Sequence, residues 1–141
     1  MGHSLGSILL RAALSSLPEG TIRPRHIFLL GSPIHSSHLA NKLKKNLIFR
    51  AFTGDCGQLL SSTEQMNAIG SCSEPTTCIV GVGGPKKHFG FFGTEANDGL
   101  VSVSEASATW LPNPIEVPLL HIFLPLSKRV AAIIIEKVAG Q

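Results

Sequence analysis

The pentapeptide Gly2-His3-Ser4-Leu5-Gly6 decides the fold of this chain. It has the form G-x-S-x-G, in which a sharp strand-to-helix turn holds a serine above a parallel sheet. A serine at the tip of such a turn has a strained backbone, and glycine lets the neighbouring chain pass close to it. We therefore expect both glycines to be structural and Ser4 to carry the reactive hydroxyl. The N–H of Leu5 is the expected oxyanion donor, because a helix N-terminus favours developing negative charge.

Helical and strand-like segments alternate along the rest of the chain. Helical patterns cover residues 5–16, 35–47 and 127–138. Apolar runs of the kind found in buried parallel strands cover residues 25–31, 76–83 and 115–120. This alternation predicts an α/β fold with three mostly parallel strands and flanking helices. Residues 50–76 are poorly periodic and form an irregular excursion, with a short helix predicted at residues 57–60.

The composition indicates one globular domain. Of the 141 residues, 43% are apolar and only 15% are charged, which suits a packed interior and excludes a disordered tail. The net charge of +3 comes from scattered basic residues, and the densest cluster, residues 42–45, has no interleaved aromatics. A nucleic-acid surface requires such aromatics for stacking, so residues 42–45 are interpreted as a solvated helix face. We expect a single domain over residues 1–141 with no nucleic-acid partner.

The sequence also bears on location and redox state. No apolar run approaches the roughly 20 residues that span a bilayer, so no stable membrane span is expected. A secretory signal has a positively charged segment followed by an uninterrupted apolar segment. Arg11 interrupts the first apolar stretch of this chain, so we expect no secretory signal here. Three cysteines suit a reducing compartment, and a cytoplasmic location is expected. Cys72 and Cys78 are near enough in sequence to close a small loop, and the sequence leaves open whether they pair.

Two other patterns do not predict sites. The glycine run at residues 81–86 lacks the spacing of a phosphate-binding loop. His35 and His38 are three residues apart and could share a metal, but no third ligand is near, and a helix entry at the surface is the better interpretation. We expect no metal and no organic cofactor.

An acid and a base follow Ser4 in the order that a catalytic triad requires. Acyl transfer by serine needs a base to take the hydroxyl proton and an acid to hold that base in the right tautomer. Asp98 lies in an Asn-Asp-Gly turn, and His121 follows the last predicted strand. Nucleophile, acid and histidine in this chain order are the arrangement of α/β-hydrolases.

Other residues compete for the roles of acid and base. Asp55 and Glu95 are alternative acids, but Asp55 falls in the irregular excursion and Glu95 precedes the tip of the turn. His88 is the nearest rival base. A histidine after a strand is more often a packing residue, and the triad order is what favours His121.

The chain resembles the C-terminal half of an α/β-hydrolase of the lipase and esterase type. The resemblance is carried by the pentapeptide together with three later stretches, Leu30-Gly31-Ser32-Pro33, Asn97-Asp98-Gly99-Leu100-Val101 and Leu120-His121. Within that superfamily, the chain is similar to bacterial triacylglycerol-lipase-like and deacylase-like proteins. The resemblance implies Ser4 as nucleophile, Asp98 as acid, His121 as base and the Leu5 N–H as oxyanion donor. It also implies hydrolysis of a small-molecule ester or lipid through an acyl-enzyme.

The chain departs from this family at its start. A complete α/β-hydrolase has a strand before the serine turn and further strands and helices before that, on the order of 100 residues at about 30 per strand-plus-crossover step. We expect a truncated chain whose N-terminal half of the sheet is absent and whose catalysis belongs to a longer form. Without that sheet, Ser4 is expected to be an ordinary hydroxyl.

The missing half of the sheet has a second expected consequence. The strand over residues 25–31 is expected to be an exposed apolar edge, which invites self-association. A non-catalytic remnant that binds a partner or acyl ligand at that edge is the alternative function.

Overall fold

The computed structural model describes residues 1–35, 62–86 and 92–140. Within them the elements follow the order β1 (Gly2–His3), α1 (Leu5–Ser15), β2 (Ile27–Leu30), α2 (Thr63–Ala68), β3 (Thr76–Gly81), β4 (Ile115–Val117), a 3₁₀ helix (His121–Leu126) and α3 (Lys128–Ala139). The predicted helix at residues 57–60, the basic cluster at residues 42–45 and nearly all of the helix predicted at 35–47 lie outside the described residues.

The strands form one parallel sheet in the order β1-β2-β3-β4. An α/β fold with parallel strands is therefore confirmed, but the expectation of three strands is wrong. The fourth strand is β1, whose two residues Gly2 and His3 pair with Leu29 and Leu30. Because the strands are parallel, their carboxyl ends lie along the same edge of the sheet, which is where open α/β sheets place their ligands.

The edges of the sheet differ from the expectation. The predicted strand at residues 25–31 corresponds to β2, which pairs with β1 on one side and β3 on the other. All four β2 residues are buried, so this strand is interior rather than an exposed edge. In the described part of the chain the edges are β1 and β4, and β4 ends at Val117, directly before Pro118. A proline that cannot donate a ladder hydrogen bond is tolerated there.

Two apolar clusters cover the two faces of the sheet. Leu29 belongs to the cluster that includes Leu14 of α1, whereas its neighbour Leu30 belongs to the cluster that includes Leu124 of the 3₁₀ helix and Val130 of α3. Successive strand residues point to opposite faces, so one continuous apolar run can supply both clusters.

The predicted excursion at residues 50–76 is partly regular. Helix α2 lies within it and begins after Ser62, whose side chain accepts a hydrogen bond from the Gln65 N–H. Cys72 and Cys78 are free thiols, and Cys78 is buried in β3. Among the described residues, no helix has the length and apolar character needed to cross a membrane.

Candidate active site

Ser4 occupies a strained turn between β1 and α1. Its backbone angles are φ 53° and ψ −127°, and it is the one non-glycine residue with positive φ in the described part of the chain. The Ser4 N–H donates to the carbonyl of Leu30 at 2.9 Å, and the carbonyl of Ser4 accepts from the N–H of Ser7 at 3.0 Å. These hydrogen bonds tie the turn to β2 on one side and to α1 on the other. The strained conformation thus forms within this chain, because β1 pairs with β2 and supplies the strand before the turn.

The two glycines of the pentapeptide have different roles. A β-carbon at Gly2 would lie 2.6 Å from the Ser7 Cα, closer than packed atoms approach. Gly2 is therefore required where β1 passes the first turn of α1. A β-carbon at Gly6 would meet no atom within 4 Å, and Gly6 does not have a positive φ. The expectation that both glycines are structural is correct for Gly2 and wrong for Gly6.

The turn that carries Asp98 is fixed by side-chain hydrogen bonds to its own backbone. Asn97 Oδ1 accepts from the N–H of Gly99 at 2.9 Å, and Gly99 has φ +99°, which favours glycine. Asp98 Oδ1 accepts from the N–H groups of Leu100 at 2.9 Å and Val101 at 2.7 Å. The turn thus holds Oδ1, and Oδ2 remains available to a residue outside the turn.

That second oxygen contacts His121. Asp98 Oδ2 accepts the Nδ1–H of His121 at 2.7 Å, with side chains that are 0% and 5% exposed respectively. The two residues are also joined through the backbone, because the N–H of His121 donates to the carbonyl of Asp98 at 2.9 Å. With its Nδ1 donating, a neutral His121 has an unprotonated Nε2, which is the tautomer that can accept a proton.

His121 lies beside the carboxyl end of β2. Gly31 follows β2 with φ +51°, and a β-carbon there would lie 2.9 Å from His121 Nδ1 and 2.8 Å from Leu124 Cδ1. Only glycine leaves room for the imidazole at this point. The short Leu30-Gly31 segment therefore touches both parts of the candidate site, since Leu30 accepts from Ser4 and Gly31 adjoins His121.

His3 links the serine turn directly to His121. Its Nε2–H donates to the carbonyl of His121 at 3.1 Å, and the two ring centroids are 4.7 Å apart. Burial, and then the neighbouring His121, lower the pKa of His3, which keeps it neutral more readily. His3 occupies the first variable position of the G-x-S-x-G pattern, which does not restrict the residue there. No local pattern could have indicated its contact with a residue 118 positions away.

The structure brings Ser4, Asp98 and His121 to one edge of the sheet, but it does not join all three by hydrogen bonds. Among the described residues, the Ser4 hydroxyl has no hydrogen bond to the His121 ring. Catalytic hydrogen bonds are often long or misaligned without substrate and tighten only in the reacting complex. Leu5 begins α1, so its N–H lies in the first turn of the helix, where it has no intrahelical acceptor.

The competing residues are less well placed or lie outside the description. Glu95 Oε1 accepts from the N–H of Ser104 at 3.0 Å, and the carboxylate on His121 is that of Asp98. Asp55 and His88 fall outside the described residues, as does His38 of the histidine pair. No group of three metal-ligating side chains occurs in residues 1–35, 62–86 and 92–140.

Comparisons with known proteins add no family to this geometry. No protein-family model matches the chain, and no curated protein or solved structure matches it either. The resemblance to α/β-hydrolases therefore rests on the residues and their arrangement alone.

Proposed function

We propose that this chain is a serine hydrolase of carboxylic esters, with Ser4 as nucleophile, His121 as base and Asp98 as the acid that orients the base. In place of the inactive fragment expected from the sequence, we propose an active chain, because β1 pairs with β2 and supplies the strand before the serine turn. The observation that carries the proposal is the buried Asp98–His121 hydrogen bond beside a serine held at φ 53°. Strained non-glycine residues cluster at functional sites, and the carboxylate–imidazole pair is the part of a triad that sets the tautomer.

The proposed reaction proceeds in two acyl-transfer steps. His121 Nε2 takes the proton of the Ser4 hydroxyl as the oxygen attacks the ester carbonyl, and it then protonates the departing alcohol. Asp98 stabilises the imidazolium that forms in between. The N–H of Leu5, aided by the N-terminus of α1, stabilises the oxyanion of the tetrahedral intermediate. In the second step a water molecule, deprotonated by His121, attacks the acyl-enzyme. His121 then returns the proton to the Ser4 oxygen as the carboxylic acid product leaves.

Apolar side chains around His121 favour an apolar ester. Leu100 and Leu120 flank the Asp98 turn and are partly exposed, and a β-carbon at Gly99 would touch Leu120 at 3.9 Å. Ile122 and Phe123, on the 3₁₀ helix that begins with His121, are also exposed. Exposed apolar surface at such a position stabilises the hydrocarbon part of a bound substrate. We therefore propose short-chain or lipid esters as the substrate class.

Labelling with a fluorophosphonate probe tests the proposal, because the probe requires an activated serine. The chain is expected to react at Ser4, and Ser4→Ala is expected to abolish labelling and to lower hydrolysis of p-nitrophenyl butyrate by at least about 10³-fold. Ser16→Ala is the matched control, because Ser16 is exposed and lies at the other end of α1. Equal labelling of the chain and of Ser4→Ala would refute the assignment. A folded chain that binds fatty acid but resists the probe would favour the non-catalytic alternative.

A further inference from the structure

Arg11 is a buried cation without an acidic partner among the described residues. It lies on the inner face of α1 and is 2% exposed. One terminal nitrogen, Nη2, donates to the carbonyls of Ile69 at 2.9 Å and Gly70 at 3.1 Å. Its Nε and Nη1 are shielded from water and have no hydrogen-bond partner among the described residues. No carboxylate lies within ion-pair distance of it in that part of the chain.

Such an arrangement is costly unless something compensates for it. Leaving a charged donor buried and unpaired costs more than leaving a neutral one, because the desolvation of the charge is not repaid. Burial accordingly lowers the pKa of Arg11, although a guanidinium keeps its charge in proteins. Trp110 offsets part of the cost, since its ring centroid lies 5.3 Å from the guanidinium carbon. The N–H groups of Nε and Nη1 still point to no acceptor within the described residues.

A cavity adjoins this guanidinium. Its volume is about 270 Å³, and its lining includes Arg11, Met66, Asn67, Ile69, Ser71 and Trp110. No aspartate or glutamate is among the described lining residues, which include the cation Arg11 and the imidazole of His35. None of Ser4, Asp98 and His121 lines it, so the cavity is separate from the candidate active site.

We propose that this cavity binds a small carboxylate with a short apolar tail, held by Arg11. A guanidinium offers a carboxylate two forks, Nε with Nη2 and Nη1 with Nη2, so either fork uses Nη2, which would exchange its bond to the Ile69 or Gly70 carbonyl for a carboxylate oxygen. The other donor of each fork, Nε or Nη1, has no acceptor among the described residues. Reaching them requires the guanidinium to turn toward the cavity that it already lines. Ile69 and Trp110, which are partly exposed, offer apolar surface to the tail, and a volume of about 270 Å³ is at the small end for ligand sites.

Trp110 reports directly on this cavity, because it is the single tryptophan of the chain. Tryptophan fluorescence is titrated with sodium butyrate, sodium benzoate and inorganic phosphate, each against sodium chloride at equal ionic strength. Butyrate and benzoate are expected to change the emission saturably, whereas chloride is expected to have no such effect. Saturation by phosphate alone would overturn the carboxylate assignment and indicate a phosphate site.

Variants separate this cavity from the candidate active site. Arg11→Lys keeps the charge but loses the fork, and it is expected to raise the apparent Kd for butyrate about tenfold. Arg25→Lys is the matched control on an exposed arginine and is expected to leave the Kd unchanged. Ser4→Ala is expected to bind butyrate with the same Kd as the parent chain. The outcome of this titration therefore does not depend on whether the chain is a hydrolase.

The Nε–H resonance of Arg11 in a ¹⁵N-correlation spectrum gives a second readout on the unmodified chain, where folding of a variant is not at issue. It is expected to shift on addition of butyrate, because Nε acquires an acceptor. A Trp110 signal and an Arg11 resonance that both stay constant across the titration would refute the site.

Discussion

Asp98 holds His121 at two points, accepting the Nδ1–H of its ring at 2.7 Å and the N–H of its backbone at 2.9 Å. The backbone hydrogen bond fixes the position of the His121 main chain. The side-chain hydrogen bond fixes the orientation of the imidazole ring and determines which ring nitrogen carries the proton. A substitution that removes only the charge of the Asp98 side chain is therefore expected to leave His121 in place. Its effect on activity then reports the importance of the His121 tautomer.

Asp98→Asn is expected to lower kcat/KM for p-nitrophenyl butyrate by about 10⁴-fold. The N–H groups of Leu100 and Val101 will hold the amide oxygen, which turns the amide NH₂ toward His121 Nδ1. Nδ1 must then accept, so Nε2 carries the proton and cannot take one from Ser4. Glu95→Gln is the control, and a loss there as large as in Asp98→Asn would shift the acid role away from Asp98. Circular dichroism checks that both variants are folded.

Gly2→Ala and Gly6→Ala form a matched pair within one motif. The first is expected to reduce the free energy of unfolding by about 1–3 kcal/mol and to abolish fluorophosphonate labelling, because the new methyl overlaps the Ser7 backbone. The second is expected to be neutral or stabilising by about 0.5–1 kcal/mol, because alanine favours helix and has open space there. Urea unfolding and labelling measure both effects. Equal losses in the two variants would contradict the geometry of the turn.

The stability of the fold is expected to depend on His3 at mildly acidic pH. Burial lowers the pKa of His3 below 6.5, so its stabilising contribution is complete above pH 6.5 and is lost as the pH falls through the lowered folded value. His3→Gln removes this titration and keeps a side-chain donor for the His121 carbonyl. The unfolding free energy of the variant, measured between pH 8 and pH 5, is expected to fall less steeply than that of the parent chain. Parallel curves would show that His3 does not titrate with folding.

The thiol of Cys78 is expected to be inert in the folded chain. Burial raises its pKa to about 12, so roughly one molecule in ten thousand carries the thiolate at pH 8. Iodoacetamide at pH 8, followed by peptide mass spectrometry, is expected to modify Cys78 only after denaturation. Cys72 is half-buried and serves as the internal comparison. Modification of Cys78 at the rate of Cys72 would indicate that β3 opens readily.

The sequence predicted best what depends on local pattern. Strands β2 and β3 were recognisable because their apolar runs serve two faces of a sheet at once. The strands themselves, Ile27–Leu30 and Thr76–Gly81, are shorter than the predicted segments 25–31 and 76–83. The apolar runs extend beyond the residues that pair with a neighbouring strand. The order of a catalytic triad also paired Asp98 with His121, and the two side chains are hydrogen-bonded.

What the sequence missed depends on contacts between distant residues. Strand β1 has two residues, too few for any periodicity, and exists because Gly2 and His3 meet Leu29 and Leu30. The contact of His3 with His121 arises from the same pairing. Helix α2 did carry a local signal, since Ser62 and Gln65 have the spacing of a helix cap, but the prediction placed the helix at residues 57–60 instead.

The shortness of β1 suggests how the proposed activity would be lost on heating. The geometry of Ser4 depends on a ladder of two residue pairs, whereas the interior of the sheet rests on longer pairings and two apolar clusters. Local opening that detaches Gly2 and His3 would release the backbone strain at Ser4 while leaving most of the buried surface in place. Thermal inactivation is then expected to precede the cooperative melting of the domain, and the Ser4 amide to exchange its hydrogen sooner than the amides of β3.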